Sequence, residues 1–354
     1  MKTNLLKFKR VLNATLVVLL LSVVGMTNAF AQMQVATLQH GEEMSAFYGP
    51  SALIEANNAA EDGDIITLSS GTFQSCDIYR SIIIHGAGCV YDSITQVMPT
   101  IITGDLILRQ DNILIEGINS TGSVKSNDHH NIILKKCSIN AISHDFPVWG
   151  SVYNNRNWQI VNCIIKQFAF YAYHIAAGNE SQGCFSGMSI INSVVRFTNY
   201  NHLDIYNATT INNSVVLFDT ELTINNIMAY NSIITTISGH EVSNCAFYNC
   251  IGIEMGETSL FEGQTVSNVM EANSYEDVFE TFTGEVTYDN IYQLKEDIAP
   301  SFLGNDGSQV GIYGGMMPYN PRPGYLILNR CNVAGQSTID GKLSVDIEII
   351  NGDN

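Results

Sequence analysis

Two octets of the chain repeat one pattern, "IINSVVRF" at residues 190–197 and "INNSVVLF" at residues 211–218. The shared signature is one or two apolar residues, then Asn, then Ser or Cys, then two residues that are usually aliphatic. Further copies are centred on Asn162, Asn231, Asn244 and, in degenerate form, Cys137. An internal repeat of this kind predicts a fold in which each copy packs mainly on its neighbours.

The spacing between copies varies, and this variation separates strands from helices. Measured at the Ser or Cys, the steps are 26 (137 to 163), 30 (163 to 193), 21 (193 to 214), 18 (214 to 232) and 13 (232 to 245) residues. A helical repeat keeps its period, whereas stacked short strands tolerate a longer loop without losing register. The segments are also short and rich in Ile, Val and Asn, which favours strands. We therefore predict an all-β chain, a right-handed single-stranded parallel β-helix.

The recurring Asn has a local explanation. A sharp bend between two strands needs a residue at positive φ, and Asn tolerates that conformation better than other non-glycine residues. Bends stacked ~4.8 Å apart would let each Asn amide bond the next. The adjacent small side chains then form a second column, predicted to contain Cys137, Cys163, Ser193, Ser214, Ser232 and Cys245. A Cys137–Cys163 disulfide is one reading, and a packed column of free thiols is the favoured one.

The two ends of the repeat region have different patterns. Apolar residues at Leu53, Ile54, Ala56, Ala59 and Ala60 predict a short helix that covers the open N-terminal end, followed by the turn "DGD" and the strand "IITL". Beyond residue 254 the repeat fades into an acidic stretch, an irregular insertion or a C-terminal cap. Residues 325–350 predict a strand pair after the Pro-rich "PYNPRPG".

The opening "DGDIITL" followed by "GTF" resembles the first strand of the pectate-lyase-like right-handed parallel β-helix family. The segment at residues 289–319 is similar to the closing segment of secreted β-helix proteins of gut-type Gram-negative bacteria. The resemblance implies the same fold and an action on acidic polysaccharides from the outer face of one sheet. It also implies either an Arg or Lys base beside carboxylate-bound calcium, or a set of catalytic Asp residues.

The N-terminal segment predicts export. Lys2, Lys7, Lys9 and Arg10 precede the apolar run "ATLVVLLLSVVGM" and an Ala-Phe-Ala tripeptide, which predicts a signal peptide over residues 1–31. We therefore expect a β-helix domain over residues 32–320, a C-terminal β segment over residues 321–354, and no stable membrane span after cleavage. The expected location is secreted, periplasmic or on the outer cell surface.

The charge of the chain limits its partners. Its formal net charge is -18, and removal of four basic residues with the signal peptide would make it -22. Nucleic acid is therefore not an expected partner, because binding its phosphates needs clustered Lys and Arg. The eight Cys follow no zinc-site spacing. No cofactor is predicted, with calcium the one ion that the resemblance allows.

Three histidines recur at the spacing of the repeats. His144, His174 and His202 lie 30 and 28 residues apart, and Asp145 and Asp204 accompany two of them. Aromatic residues that could stack on sugar rings lie in the same loops, namely Trp149, Tyr153, Trp158, Tyr171 and Tyr173. These loops predict a glycan-binding groove lined by those rings together with His202 and Asp204. Turn chemistry explains the same residues without a ligand.

Three functional hypotheses follow from these residues. The first is an exported protein that binds polysaccharide or surface glycan through the loops of residues 140–210 without a clear catalytic set. The second is a polysaccharide lyase, with His144, His174 and Lys136 as the candidate catalytic residues and no protein-bound metal site. The third is a structural or adhesive spacer, in which those loops are dispensable.

Overall fold

The computed structural model describes most residues of the chain. They are 34–93, 96–143, 145, 155–169, 185–198, 209–219, 223–236, 241–255, 259–322, 326–333 and 345–351. Within them, 22 strands join in one hydrogen-bonded sheet whose pairings are mostly parallel. The prediction of an all-β chain with parallel strands is confirmed at this level.

Most strands belong to two columns in which each strand pairs in parallel with its counterpart in the next repeat. The first strand column contains Ile65–Leu68, Ile83–His85, Leu114–Glu116, Ile133–Lys135, Gln159–Val161, Ser189–Ile191, Thr209–Asn212, Ile227–Tyr230 and the first parts of Ala246–Glu254 and Thr265–Ala272. The second strand column contains Gly71–Gln74, Thr100–Thr103, the first parts of Ile118–Ser126 and Ser138–Ser143, Ile164–Ala169, Val194–Phe197, Val215–Phe218, Ile233–Thr236 and the last parts of Ala246–Glu254 and Thr265–Ala272.

Shorter parallel pairings complete several repeats. Asp77–Ile78 pairs with Leu106–Leu108, which pairs with the last part of Ile118–Ser126. Asn155–Arg156 pairs with Phe185–Ser186, and Thr223–Asn225 pairs with Glu241–Ser243. These strands are only two or three residues long, so the two main columns carry most of the backbone pairing.

Parallel register aligns like side chains, and this alignment builds the core. In the first strand column the buried side chains in register are Ile66, Ile84, Ile115, Leu134, Ile160, Ile190, Ile211, Ala229 and Phe247. In the second, Phe168, Phe197 and Phe218 pack in a row with ring centres 4.9 and 5.1 Å apart; the first pair of rings is tilted and the second is stacked. Burial of these aliphatic and aromatic faces is the main stabilising force, because each removes apolar area from water.

Two bends recur along the described repeats, and most of them place a residue at positive φ. The first bend precedes the first strand column and contains Asn112, Asn131, Asn157, Gly187, Asn226 and Asn244. The second bend lies between the two columns and contains Gly117, Lys136, Asn162, Asn192, Asn213, Asn231, Asn249 and Asn268. The prediction that the repeated Asn adopts positive φ is confirmed, and the bends alternate along the chain.

The predicted ladder of hydrogen-bonded Asn side chains forms mainly at the first bend, and at the second bend it joins Asn268 to Asn249 Oδ1 at 2.8 Å. At the first bend, the Asn131 side chain donates to Asn112 Oδ1 at 2.9 Å and the Asn157 side chain donates to Asn131 Oδ1 at 3.1 Å. At the second bend, Asn162, Asn192 and Asn231 instead bond the C-terminal segment that covers them. Where the C-terminal segment covers the second bend, these three Asn side chains therefore bind a distant part of the chain.

The column of small side chains satisfies its own backbone. The Asn192–Ser193 step shows the pattern: Ser193 Oγ donates to the Ile191 carbonyl at 2.7 Å and accepts the Cys163 N–H at 3.0 Å. Ser214 and Ser232 repeat the two contacts in the next copies. Hydroxyl and thiol can both donate and accept at this position, which explains the choice of Ser or Cys.

The membership of that column needs one correction. Parallel pairing aligns Tyr230 with Tyr248, so Cys250 follows Ser232, whereas Cys245 follows the first-bend residue Asn244. Burial raises the pKa of the Cys250 thiol to about 12, so the thiol stays protonated and donates to the Tyr248 carbonyl. Cys137 and Cys163 are free thiols, which confirms the favoured reading.

The N-terminal end contains one predicted and one unpredicted element. Helix α1, Ala52–Ala59, is confirmed and buries Ala52, Leu53 and Ala56. The free edge of Ile65–Leu68 is covered by Val35–His40, which pairs antiparallel with it and with Glu43–Tyr48. A β-hairpin therefore protects this sheet edge together with the helix.

The segment after the last repeat packs back on the molecule. This C-terminal cover, residues 273–322, contains helix α2, Tyr275–Val278, and otherwise irregular backbone. Its apolar side chains bury the outward-facing residues of the second strand column in a second core that includes Ile164, Val194, Val215, Ile233, Val278, Phe279, Phe282, Tyr292, Leu294 and Ile312. The sequence left two interpretations open for residues 254–289, an irregular insertion or a C-terminal cap. From residue 273 onward, the packing of this segment agrees with a C-terminal cap.

The last two strands form the pair expected from the sequence. Leu326–Val333 and Val345–Asn351 pair antiparallel with each other. Antiparallel pairing suits two segments joined by a short connection.

Candidate functional site

Most residues of the predicted glycan-binding loops lie outside the described residues. They are His144, Trp149, Tyr153, Tyr171, Tyr173, His174, His202 and Asp204. Asp145 is described, and it is a buried carboxylate that forms an ion pair with Arg109. Its partners give Asp145 a structural role in holding the neighbouring repeats together.

Trp158 is a core residue, and the prediction that its ring stacks on a ligand is wrong. The side chain has a relative exposure of 0%, and its indole N–H donates to the His129 carbonyl at 2.9 Å. Trp158 directly follows the first-bend residue Asn157, a position that is filled by buried Ile113 and Ile132 after Asn112 and Asn131. Aligning "NWQI" with "NIIL" would have revealed the apolar position.

Lys136 occupies an unusual backbone position. It has a φ of 51° at the second bend, where neighbouring repeats place Gly117, Asn162 and Asn192. The left-handed region costs an ordinary side chain ~1–2 kcal/mol, and Asn pays less of this cost because its amide bonds locally. A lysine at a position that local energetics assign to Asn points to a use for the lysine side chain.

The Lys136 side chain lines a cavity of about 540 Å³. One wall comes from the repeats, through Lys135, Lys136 and Asn162, and the other from residues 316–320 of the C-terminal cover. Asn162 joins the walls, because its Oδ1 accepts the Asn320 N–H at 2.7 Å. Met316, which is 96% exposed, lies at the rim. We call this space the lysine cavity.

Lys135 belongs to an ion-pair cluster on the outer face of the first strand column. The Lys135 Nζ lies 3.0 Å from Glu116 Oε1, and His85 Nδ1 lies 3.2 Å from Glu116 Oε2. Parallel register places these three residues side by side on consecutive repeats. Burial alone would raise the pKa of Glu116, but hydrogen bonds from His85 and Lys135 outweigh it and lower the pKa to about 2.

The chemistry of the lysine cavity is that of an anion site. Two consecutive residues present their side chains to one space, since Lys135 ends a strand and Lys136 forms the bend. Ammonium groups bind carboxylate, sulfate or phosphate through charge-assisted hydrogen bonds. In a chain with a formal net charge of -18, two adjacent lysines are uncommon, and Lys135 of this pair also forms an ion pair with Glu116.

The described residues contain neither a metal-binding cluster nor a helix that could cross a membrane. Among them, no three or more His, Cys, Asp and Glu side chains are arranged to hold a metal ion. No helix in the described part of the chain has the length and apolar character needed to cross a membrane.

The sequence singled out one residue of the lysine cavity and missed the cavity itself. Lys136 was a candidate catalytic residue because a lysine near the predicted loops could meet a uronate carboxylate or serve as a lyase base. Residues 316–320 lie more than 150 positions further on, and no local pattern connects them to Lys136. Comparison with known proteins finds no matching family model, no matching curated protein and no matching solved structure.

Proposed function

We propose that the two strand columns belong to a right-handed parallel β-helix of the pectate-lyase-like kind. Successive repeats contribute one strand to each column in chain order, which supports this arrangement. Connections between parallel strands are right-handed in nearly all known sheets. A crystal structure tests the proposal: strands wound around one aliphatic core would support it, and an open sheet would contradict it.

We also propose that the protein is exported to the periplasm, the outer surface or the medium. The basic, apolar and Ala-Phe-Ala parts of residues 1–31 support this assignment. N-terminal sequencing of the protein recovered from each fraction of a producing cell tests it. A mature chain beginning at Gln32 is the expected result, and an intact N-terminus in the cytoplasm would contradict it.

We propose that the protein binds an acidic polysaccharide or surface glycan in the lysine cavity, without catalysis. The observation that carries this proposal is Lys136 at a φ of 51° on a cavity wall. A strained backbone position is retained when the side chain has a role there that the favoured residue cannot fill. A lysine beside Lys135 can bind a carboxylate or sulfate group, which Asn at this position would hold less strongly.

Binding is favoured over a lyase reaction by the state of the neighbouring groups. Glu116 is ionised at neutral pH because its pKa is lowered to about 2, and it forms an ion pair with Lys135. The ammonium group of Lys135 can donate hydrogen bonds to an anion, whereas a general base must accept a proton from the substrate.

Lys136→Asn is the decisive variant. It removes the charge and restores the residue that the second bend favours, so the free energy of unfolding should rise by about 0.5–1 kcal/mol or stay unchanged. Binding of acidic oligosaccharides should fall by ~10- to 100-fold, the equivalent of one hydrogen bond to a charged group. Calorimetric titration with polyuronate and sulfated oligomers measures the loss.

Lys125→Gln serves as the matched control. Lys125 Nζ lies 2.6 Å from Asp105 Oδ2, and neither residue lines the lysine cavity. Lys125→Gln therefore changes the net charge by the same amount as Lys136→Asn. Equal binding by Lys136→Asn and the unchanged protein would refute the proposal. Release of unsaturated, ultraviolet-absorbing sugar ends would favour the lyase instead. Ala variants of His144, His174 and His202 in the same assays test the loop prediction.

A further inference from the structure

A second cavity of about 510 Å³ lies beside the lysine cavity. The two share a stretch of the C-terminal cover: Tyr319 and Asn320 line the lysine cavity, and Pro321 lines the second. Consecutive Cα atoms are only ~3.8 Å apart, so the two spaces are neighbours. The cover is held at this point, because the Asn320 N–H binds Asn162 and the Arg322 guanidinium lies 3.7 Å from Asp92.

The second cavity gathers side chains that are exposed and largely apolar. Tyr91, Met98 and Tyr288 are 53%, 45% and 39% exposed, and all three line it. Lys166 Nζ lies 5.8 Å from the centre of the Tyr288 ring, a cation–π contact that helps to hold this ring. Exposed aromatic rings that share one concave surface are a common feature of ligand sites.

The polar groups of this cavity differ in charge from those of its neighbour. Asp289 lines the second cavity, and Asn119 contributes an amide whose nitrogen donates to the Cys89 carbonyl at 3.2 Å. A carboxylate accepts hydrogen bonds from hydroxyl groups but repels another carboxylate. Tyrosine rings pack against the apolar faces of ligands while their hydroxyl groups reach polar atoms. The combination suits an uncharged sugar ring.

We propose that the cavity between Tyr91 and Tyr288 binds an uncharged sugar next to the acidic sugar held in the lysine cavity. This inference rests on the proposed function and narrows its ligand to a mixed polysaccharide, in which acidic and uncharged sugars follow each other. A polymer of uronate alone would place a carboxylate beside Asp289. A neutral polymer would make no charge-assisted hydrogen bond with the ammonium groups of Lys135 and Lys136.

Titration calorimetry with three classes of hexasaccharide tests the inference. The probes are oligogalacturonate (acidic sugars only), hyaluronan and gellan fragments (acidic and uncharged sugars), and cellohexaose (uncharged sugars only). The unchanged protein should bind a mixed probe most tightly. Tyr91→Ala and Tyr288→Ala should each weaken that binding by ~3- to 10-fold, while oligogalacturonate binding changes less than ~2-fold.

Asp289→Asn provides an independent readout that a purely structural role would not produce. Removing this exposed carboxylate should strengthen oligogalacturonate binding, since one like-charge repulsion is lost. Tyr79→Ala is the matched control, because Tyr79 is 57% exposed and its hydroxyl bonds Asp77 outside both cavities.

The outcomes separate this inference from the proposed function. If Lys136→Asn weakens acidic binding while the two Tyr variants and Asp289→Asn change nothing, the inference is overturned and the proposed function stands. If the Tyr variants lose cellohexaose binding while Lys136→Asn changes nothing, the proposed function and the mixed ligand fail. Absence of binding to all three classes overturns both.

Discussion

The two bends of the repeat use the same residue in the same backbone conformation for different purposes. Asn131 at the first bend is exposed, has a φ of 57° and bonds its neighbours in the adjacent repeats. Asn192 at the second bend is 3% exposed, has a φ of 45° and donates to the carbonyls of Ile312 and Gly314, more than 100 positions away. The partner of an Asn is set by what covers the bend.

At the second bend, the backbone of the C-terminal cover lies close to the Asn side chains of the repeats. A Cβ on Gly314 would lie 1.7 Å from the Gln309 carbonyl oxygen and 2.9 Å from Asn213 Nδ2, so glycine is needed there. The Asn213 Nδ2 has no hydrogen-bond partner among the described residues. The C-terminal cover therefore binds the Asn side chains on either side of Asn213, namely those of Asn192 and Asn231.

Among the variants that test the difference between the two bends, Phe282→Ala should have the largest effect. This buried ring packs 4.8–5.1 Å from Tyr275, Phe279 and Tyr292, and its loss should lower the free energy of unfolding by ~3–5 kcal/mol. Hydrogen exchange should then accelerate more at the Gly311 N–H, which donates to the Asn231 carbonyl at the second bend, than at the Asn131 N–H at the first bend.

Ile291→Ala is the control for that experiment, since Ile291 belongs to the cover but is 58% exposed. It should change the free energy of unfolding by less than ~0.5 kcal/mol. Equal acceleration of exchange at both bends in Phe282→Ala would show one cooperative unit, and the distinction between the bends would then concern bonding and not stability.

A smaller effect compares the two Asn positions directly through Asn192→Gly and Asn131→Gly. Glycine adopts positive φ without steric cost, so both variants remove only the side-chain hydrogen bonds and share the entropic cost of glycine. Asn192→Gly removes the amide donor from the buried Gly314 carbonyl, while the Ile312 carbonyl keeps the Tyr319 N–H, and it should cost ~1–3 kcal/mol more than Asn131→Gly. Urea unfolding of the pair measures the difference, and equal losses would contradict the role of the cover.

The smallest expected effect is on the pH dependence of the free energy of unfolding, and it comes from Glu116, which precedes the second-bend residue Gly117. The folded pKa of Glu116 is lowered from 4.5 to about 2, so its ion pairs stabilise the protein above pH 4.5 and this contribution is lost as the pH falls toward 2. Glu116→Gln should flatten the dependence of the free energy of unfolding on pH in that window. Glu276→Gln, an exposed carboxylate on α2, controls for net charge. Parallel profiles for Glu116→Gln and the unchanged protein would contradict the prediction.

Particular residues show where sequence reasoning succeeded. The positive φ of Asn162, Asn192 and Asn213 followed from the chemistry of Asn alone, because the conformation depends on the residue itself. Helix α1 and the strand Ile65–Leu68 followed from apolar spacing and the intervening turn. The free thiols of Cys137 and Cys163 followed from the small-residue column.

Other residues show where it failed. Cys245 was placed in the column that contains Cys250, because "SNC" and "YNC" look alike until pairing shows which bend each occupies. Trp158 was assigned to a binding surface because aromatic residues are common both in cores and in sugar sites. The hairpin of Val35–His40 and Glu43–Tyr48 was missed, since neither strand carries the repeated Asn–Ser/Cys signature.

Local residue chemistry was thus enough to specify strands, bends and the repeat that joins them. These features depend on a residue and its near neighbours, and a short window of sequence contains both. The lysine cavity, its aromatic neighbour and the cover over the second bend depend on residues 316–321 reaching Lys136 and Asn162. Such contacts follow from the packing of the whole chain, because burying the outer face of the second strand column is what brings that distant segment into place.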